Sequence, residues 1–188
     1  MELVLIGVAV IVVLVVITTL SDKRKNPDKY PTRVELHKVE QRDHLFRRGA
    51  IIMKSAVKSV LSPGKDEARD AWEQAATLGN VHAITGLGII AMMDHDLAAA
   101  QARWTEAFRE GDDAAYIFKS ITADPESSKE YARAVWAYLD AMASGEPDNL
   151  RHWSAVARPL GPSSYADGLL ERASMIEFNN RRGPWGVR

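Results

Sequence analysis

ARDAWEQAATLGNVHAITGLG, residues 68–88, decides the fold, because its first part returns as AQARWTEAFREGDDAA at residues 100–115. Ala68, Ala71, Trp72, Ala75, Gly79 and Ala83 are answered thirty-two positions later by Ala100, Arg103, Trp104, Ala107, Gly111 and Ala115, and only the Ala71/Arg103 pair changes character. Small residues three and four apart around one Trp make a single helical stripe. A glycine just beyond such a stripe marks a helix C-terminus. Each unit is therefore expected to be two antiparallel helices. A third copy is expected at Ala132, Val135 and Trp136, after which the pattern drifts: Leu139 stands in place of Ala, and the glycine arrives at Gly145. Helical pairs repeating every 20 to 50 residues or so point to a solenoid.

In that frame Trp72, Trp104 and Trp136 are predicted to be core between helices rather than ligand-stacking groups. The first helices of such pairs line the concave side. This makes Arg69, Gln101 and Arg133, then Glu73 and Thr105, with Tyr138 nearby, the expected partner-binding groove, since Arg and Tyr are enriched at binding hot spots.

The unit resembles the Sel1-like subfamily of tetratricopeptide-type repeats, which read approximately A-x-x-W/Y-x-x-A-A-x-x-G-x-x-x-A-x-x-x-L-G. Trp72, Ala75, Ala76, Gly79, Ala83, Leu87 and Gly88 carry the match. The chain departs from that pattern at Ile90 to Asp96, where the glycine-rich loop between repeats is shortened. The resemblance implies an α-solenoid used as an adaptor, and it implies no catalytic residues.

Toward the N-terminus, Leu3 to Leu20 reads LVLIGVAVIVVLVVITTL, a run without a charge. As a helix at about 1.5 Å per residue it would span roughly 27 Å, enough to cross a bilayer, so residues 1–21 are expected to be a transmembrane anchor. Lys23, Arg24, Lys25 and Lys29 follow the run and no Lys or Arg precedes it. By the positive-inside rule this places the N-terminus outside and the rest of the chain in the cytoplasm of a single-pass protein at the cell membrane. The same four residues lie where lipid headgroups would be.

Residues 22–31 read as a basic linker, and residues 32–179 as the helical-repeat domain. Thr32 and Glu35 have capping-box spacing. One long or two short helices are expected after them, with Gly49 a possible break and Ser62-Pro63-Gly64 the end. Near the C-terminus, Tyr165, Leu169, Leu170, Ala173 and Ile176 make a face able to close the end of a solenoid. Residues 180–188 read as a flexible tail in which Trp185 is free to dock.

The chain has 188 residues and no cysteine, which excludes a disulfide scaffold, a Cys-ligated zinc and a cysteine nucleophile. Residues 22–48 hold nine basic against five acidic side chains, and residues 49–180 twelve against nineteen. An acidic body on a basic stalk is unsuited to nucleic acid. Asp94-His95-Asp96 is expected to cap a helix rather than to bind a metal. His37 and His44, with Glu40 between them, lack a third ligand. Gly86-Leu87-Gly88 is expected to mark a close helix contact, since no strand precedes it.

No catalytic residue, metal or cofactor is expected. The fold class expected is all-α, a transmembrane helix followed by an α-solenoid of antiparallel helix pairs. The function expected is a membrane-tethered protein–protein interaction scaffold with protein partners, the alternative being an accessory structural subunit of a larger membrane complex.

Overall fold

Three acidic or amide side chains set the cadence of the helices. Asn80, Asp96 and Asp112 each accept a backbone N–H from the turn that follows, those of Ala83, Ala99 and Ala114 respectively. Each thereby satisfies a donor that a helix start leaves without a partner. Successive caps are sixteen residues apart, half of the repeat period.

The computed structural model describes residues 32–58, 64–124 and 127–182. Among them are eight helices: α1 Arg33–Lys58, α2 Gly64–Thr77, α3 Val81–Met93, α4 Leu97–Arg109, α5 Asp113–Ile121, α6 Ser128–Ser144, α7 Pro147–Ala157 and α8 Ser163–Arg182. The chain divides into two units, residues 1–39 and 40–188. The described part of the first unit holds the expected capping box. Thr32 N–H donates to Glu35 Oε2 at 2.6 Å and Glu35 N–H to Thr32 Oγ1 at 3.2 Å, bonds that hold the Glu35 carboxyl below its ordinary value.

In the second unit, α2 to α8 pack chiefly on their neighbours in the chain, and α3 also meets α5. That pattern is compatible with an α-solenoid.

The expected fold class needs one correction. No helix among the described residues is long and apolar enough to cross a membrane. The most apolar of them, α3, has 13 residues, about 20 Å of helix against a hydrocarbon core of about 30 Å, while the longer α1 and α8 are studded with charge. What is described is thus an all-helical body. Residues 1–21, where the anchor is expected, lie outside the described residues, as do Lys23, Arg24, Lys25, Lys29 and Trp185. The last helix runs on to Arg182, into the stretch expected as tail.

The repeat tryptophans are buried as expected in the first two units. Trp72 and Trp104 are fully enclosed. Their indole N–H groups donate to Phe46 O at 3.1 Å and Thr85 O at 3.2 Å, each on the helix before. Glycines make room for the rings. A Cβ at Gly49 would lie 2.5 Å from the Trp72 indole, and one at Gly86 2.7 Å from it, while one at Gly88 would collide with Trp104. Gly86 and Gly88 are therefore close helix contacts, as expected. Gly49 is not a break: α1 continues through it, and its bare Cα is a seat for Trp72.

The third unit corrects the register. Ala132 is exposed and Trp136 only half-buried, whereas Ala134, Tyr138 and Ala141 are buried. Measured from Ala100, Trp104, Ala107 and Gly111, the residues Ala134, Tyr138, Ala141 and Gly145 all lie thirty-four positions on. The aromatic slot of the third unit is thus filled by Tyr138. The shift builds up over the whole pair: α5 is four residues shorter than α3, the connection after it is three longer than the one after α3, and Tyr138 stands three places further into α6 than Trp104 into α4. Gly79, Gly111 and Gly145 have φ of +87°, +98° and +65°, the left-handed conformation that closes a helix and that glycine adopts without strain.

Aromatic rings tie the later helices together. Phe118 on α5 stacks on Trp104 at 5.8 Å and on Trp153 at 6.0 Å, and meets Tyr138 edge-on at 5.4 Å. Trp153 donates to the Tyr165 hydroxyl at 2.9 Å, which joins α7 to the start of α8. Of the expected closing face, Leu169 and Ala173 are buried, Tyr165 and Ile176 half-buried, and Leu170 exposed.

Candidate functional site

Where α1, the α2–α3 turn, the end of α6 and α8 meet, a cleft of about 280 Å³ opens. Its walls carry Arg42 and Arg47 from α1, His82 from α3 and Arg172 from α8, over apolar Phe46, Ala141 and Met142. Arg42 is held by Asp43 at 2.9 Å. Arg47 and Arg172 have no carboxylate partner among the described residues.

Behind His82 lies a buried carboxylate. Asp112 has no exposed surface, and it accepts from the Thr85 hydroxyl and from the Ala114 N–H it caps. Its Oδ1 sits 3.2 Å from His82 Nδ1. An ionised group without water must be paired and hydrogen-bonded, and here the α5 cap, the hydroxyl and the imidazole together meet that need. Burial pushes the imidazole toward its neutral form, but the Asp112 hydrogen bond and charge outweigh it, so His82 is held above its ordinary value, with Arg172 and Arg42 opposing. Tyr138 completes the arrangement: its hydroxyl donates to His82 O at 3.2 Å, and burial holds it well above the usual phenol range. The cleft thus gathers positive charge around an oriented imidazole, an arrangement suited to holding an anion.

The groove expected from the repeat register is only partly assembled. Arg69 and Glu73 line a hollow of about 380 Å³ between α2, α3 and α4, together with Arg103, Asp94 and Asp96. Arg69 is already committed there, bonded to Asp66 at 2.7 Å and to Asp94 at 2.6 Å. Lys65 and Arg69 in turn hold the Asp94 carboxyl below its ordinary value. Gln101 faces the other way, donating to Thr122 Oγ1 at 2.8 Å, and the Thr105 hydroxyl donates to Gln101 O at 2.7 Å. Arg133 is exposed on α6 and does not join the hollow. Tyr138 is 0% exposed; the two-residue shift in register carries it from the expected surface into the core.

Asp96 caps α4 as expected, and Asp94 is an ion-pair partner. No group of three or more metal-ligating side chains occurs among the described residues. The sequence reading missed the cleft itself. Arg42 and Arg47 count there as part of a basic stalk, and nothing local connects them to Arg172. The Asn80/Asp96/Asp112 cadence is the one signal that marks Asp112 as a fixed point. Compared with known protein families, characterised proteins and solved structures, the chain matches none.

Proposed function

We propose that the chain is a protein–protein interaction scaffold, built of helix pairs of the Sel1-like kind and tethered at the membrane, with no catalytic role of its own. One observation carries this reading. In the first two units the small and aromatic repeat residues are consumed by packing, as at Ala68/Trp72/Ala75 and Ala100/Trp104/Ala107, while Asp70, Glu73 and Gln74 in the one and Arg103 and Glu106 in the other are polar and exposed. Such a division leaves the surface free to vary for recognition. The membrane tether is supported by the uncharged sequence from Leu3 to Leu20 and the basic residues after it, which also favour a cytoplasmic side for the helical body.

Affinity capture of the full chain from detergent extract tests the scaffold reading. Because Arg69 is tied to Asp94, the informative surface change is Glu73→Lys with Arg133→Glu, at two exposed residues. A discrete partner recovered with the wild type is the expected result, depleted with the double variant at unchanged melting temperature. The scaffold reading falls if nothing rises above background even after chemical cross-linking.

A further inference from the structure

We infer that the cleft between α1, α3 and α8 is a docking site for an acidic peptide segment of a partner protein. The inference rests on the scaffold reading and names the chemistry of what is held. Three guanidiniums and one imidazole converge on a single concavity of about 280 Å³. Only one of the guanidiniums, Arg42, has a carboxylate beside it in the cleft, and that carboxylate, Asp43, balances one charge. Arg47 and Arg172 come from opposite ends of the unit, and neither meets a carboxylate among the described residues.

Unpaired like charges repel and are costly to bring together unless an anion is meant to lie between them. The setting makes the point sharper, because residues 49–180 carry an excess of seven acidic side chains. A positive concavity on a negative body selects a short anionic stretch and repels an extended polyanion. Nucleic acid needs a track of cations along its backbone, which this body does not offer.

The floor favours peptide over a bare ion. Phe46, Ala141 and Met142 offer apolar contact between the charged walls, fitted to the methylenes of Glu or to an apolar residue between two acidic ones. The volume admits one or two side chains. Arginine forks bind carboxylates with two parallel hydrogen bonds, and Arg47 and Arg172 are the two forks in the cleft without a carboxylate among the described residues. His82, oriented by Asp112 at 3.2 Å, contributes its Nε2–H as a third donor when the imidazole is protonated.

The test uses the full chain in detergent and a fluorescein-labelled peptide, Glu-Asp-Leu-Glu-Asp-Leu, followed by anisotropy at low salt. Its uncharged counterpart, Gln-Asn-Leu-Gln-Asn-Leu, is the control. The acidic peptide is expected to bind, the control not. Arg47→Glu with Arg172→Glu should weaken binding about tenfold or more, as loss of charge-assisted bonds implies. Lys129→Glu, an exposed change on α6, should leave it unaltered, and melting temperatures of all variants should agree.

Equal binding of the two peptides, or full binding by the double variant, overturns the inference. So does cleft-dependent binding to phosphatidylserine vesicles without binding to the peptide, which would assign the cleft to lipid. If the peptide fails while the chain still captures a partner, the inference falls and the scaffold reading stands. If the peptide binds and no partner is captured, the scaffold reading alone fails.

Discussion

The indole of Trp104 rests on the bare Cα of Gly88, one residue short of Ile89, in a space that no Cβ can share. The same ring donates to Thr85 O one turn earlier on the same helix, so α3 presents both a seat and an acceptor to α4. Gly49 does the equivalent for Trp72, with the acceptor Phe46 O three residues before it on α1.

Gly88→Ala should therefore destabilise the chain by about 1–3 kcal/mol, the usual cost of overpacking a filled interior, despite the better helix propensity of alanine. Gly168→Ala is the matched control, since nothing lies within 4 Å of a Cβ there. On α8 it should stabilise by up to about 1 kcal/mol. Urea unfolding of the two variants beside the wild type gives the comparison. Equal shifts of the same sign would mean that Trp104 does not occupy that seat.

Tyr138, not Trp136, should behave as the buried aromatic of the third unit. Trp104→Ala and Tyr138→Ala should each lower stability by about 3–5 kcal/mol, and Trp136→Ala by distinctly less. Tyr138→Phe should cost about 1 kcal/mol through the lost bond to His82 O. A larger loss at Trp136 than at Tyr138 would restore the thirty-two-residue register.

These positions also show how far the sequence could be read. Trp72 and Trp104 were legible because their small neighbours and closing glycines repeat at one spacing, and the spacing survives wherever connections keep their length. Tyr138 was not, because a shorter α5, a longer connection and a longer start to α6 together move the stripe by two residues, while Ala132, Val135 and Trp136 keep the old spacing by coincidence. Gly49 looked like a break because an isolated glycine in a helix reads as weakness until the partner ring is known. The cleft was beyond reach for a different reason. Arg47 and Arg172 are brought together only by the packing of α1 and α8, and no periodicity links residues so distant in the chain.

His95 holds φ at +61°, where its Cβ crowds the backbone at a cost of about 1–2 kcal/mol. It stands at the end of α3 in the place that glycine takes after α2, α4 and α6. His95→Gly should raise stability by up to about 1 kcal/mol, the strain relieved less the entropy that glycine loses. A lower unfolding midpoint would show that the imidazole makes a contact worth more than the strain.

Stability should depend on pH through His82. Its folded-state value lies above the ordinary one, so the contribution is fully present below about pH 6.5 and is lost as pH rises through the raised value. The groups that set it are Asp112 from the cap of α5, and, opposing, Arg172 from α8 and Arg42 from α1. Wild type minus His82→Gln, measured as urea midpoint between pH 5 and 9 or so, should fall with increasing pH. A flat or rising difference would remove the Asp112 pairing.

The most direct measurement of scaffold function is site-specific photo-cross-linking in cells. A benzophenone side chain is placed in turn at Glu73 in the hollow, at Arg47 in the cleft, and at Ala155 on the exposed side of α7. Glu73 or Arg47 should give a discrete adduct with the same partner that affinity capture recovers, and Ala155 should give none. Absence of any adduct at Glu73 and Arg47, or an identical smear from all three positions, would contradict recognition through this surface.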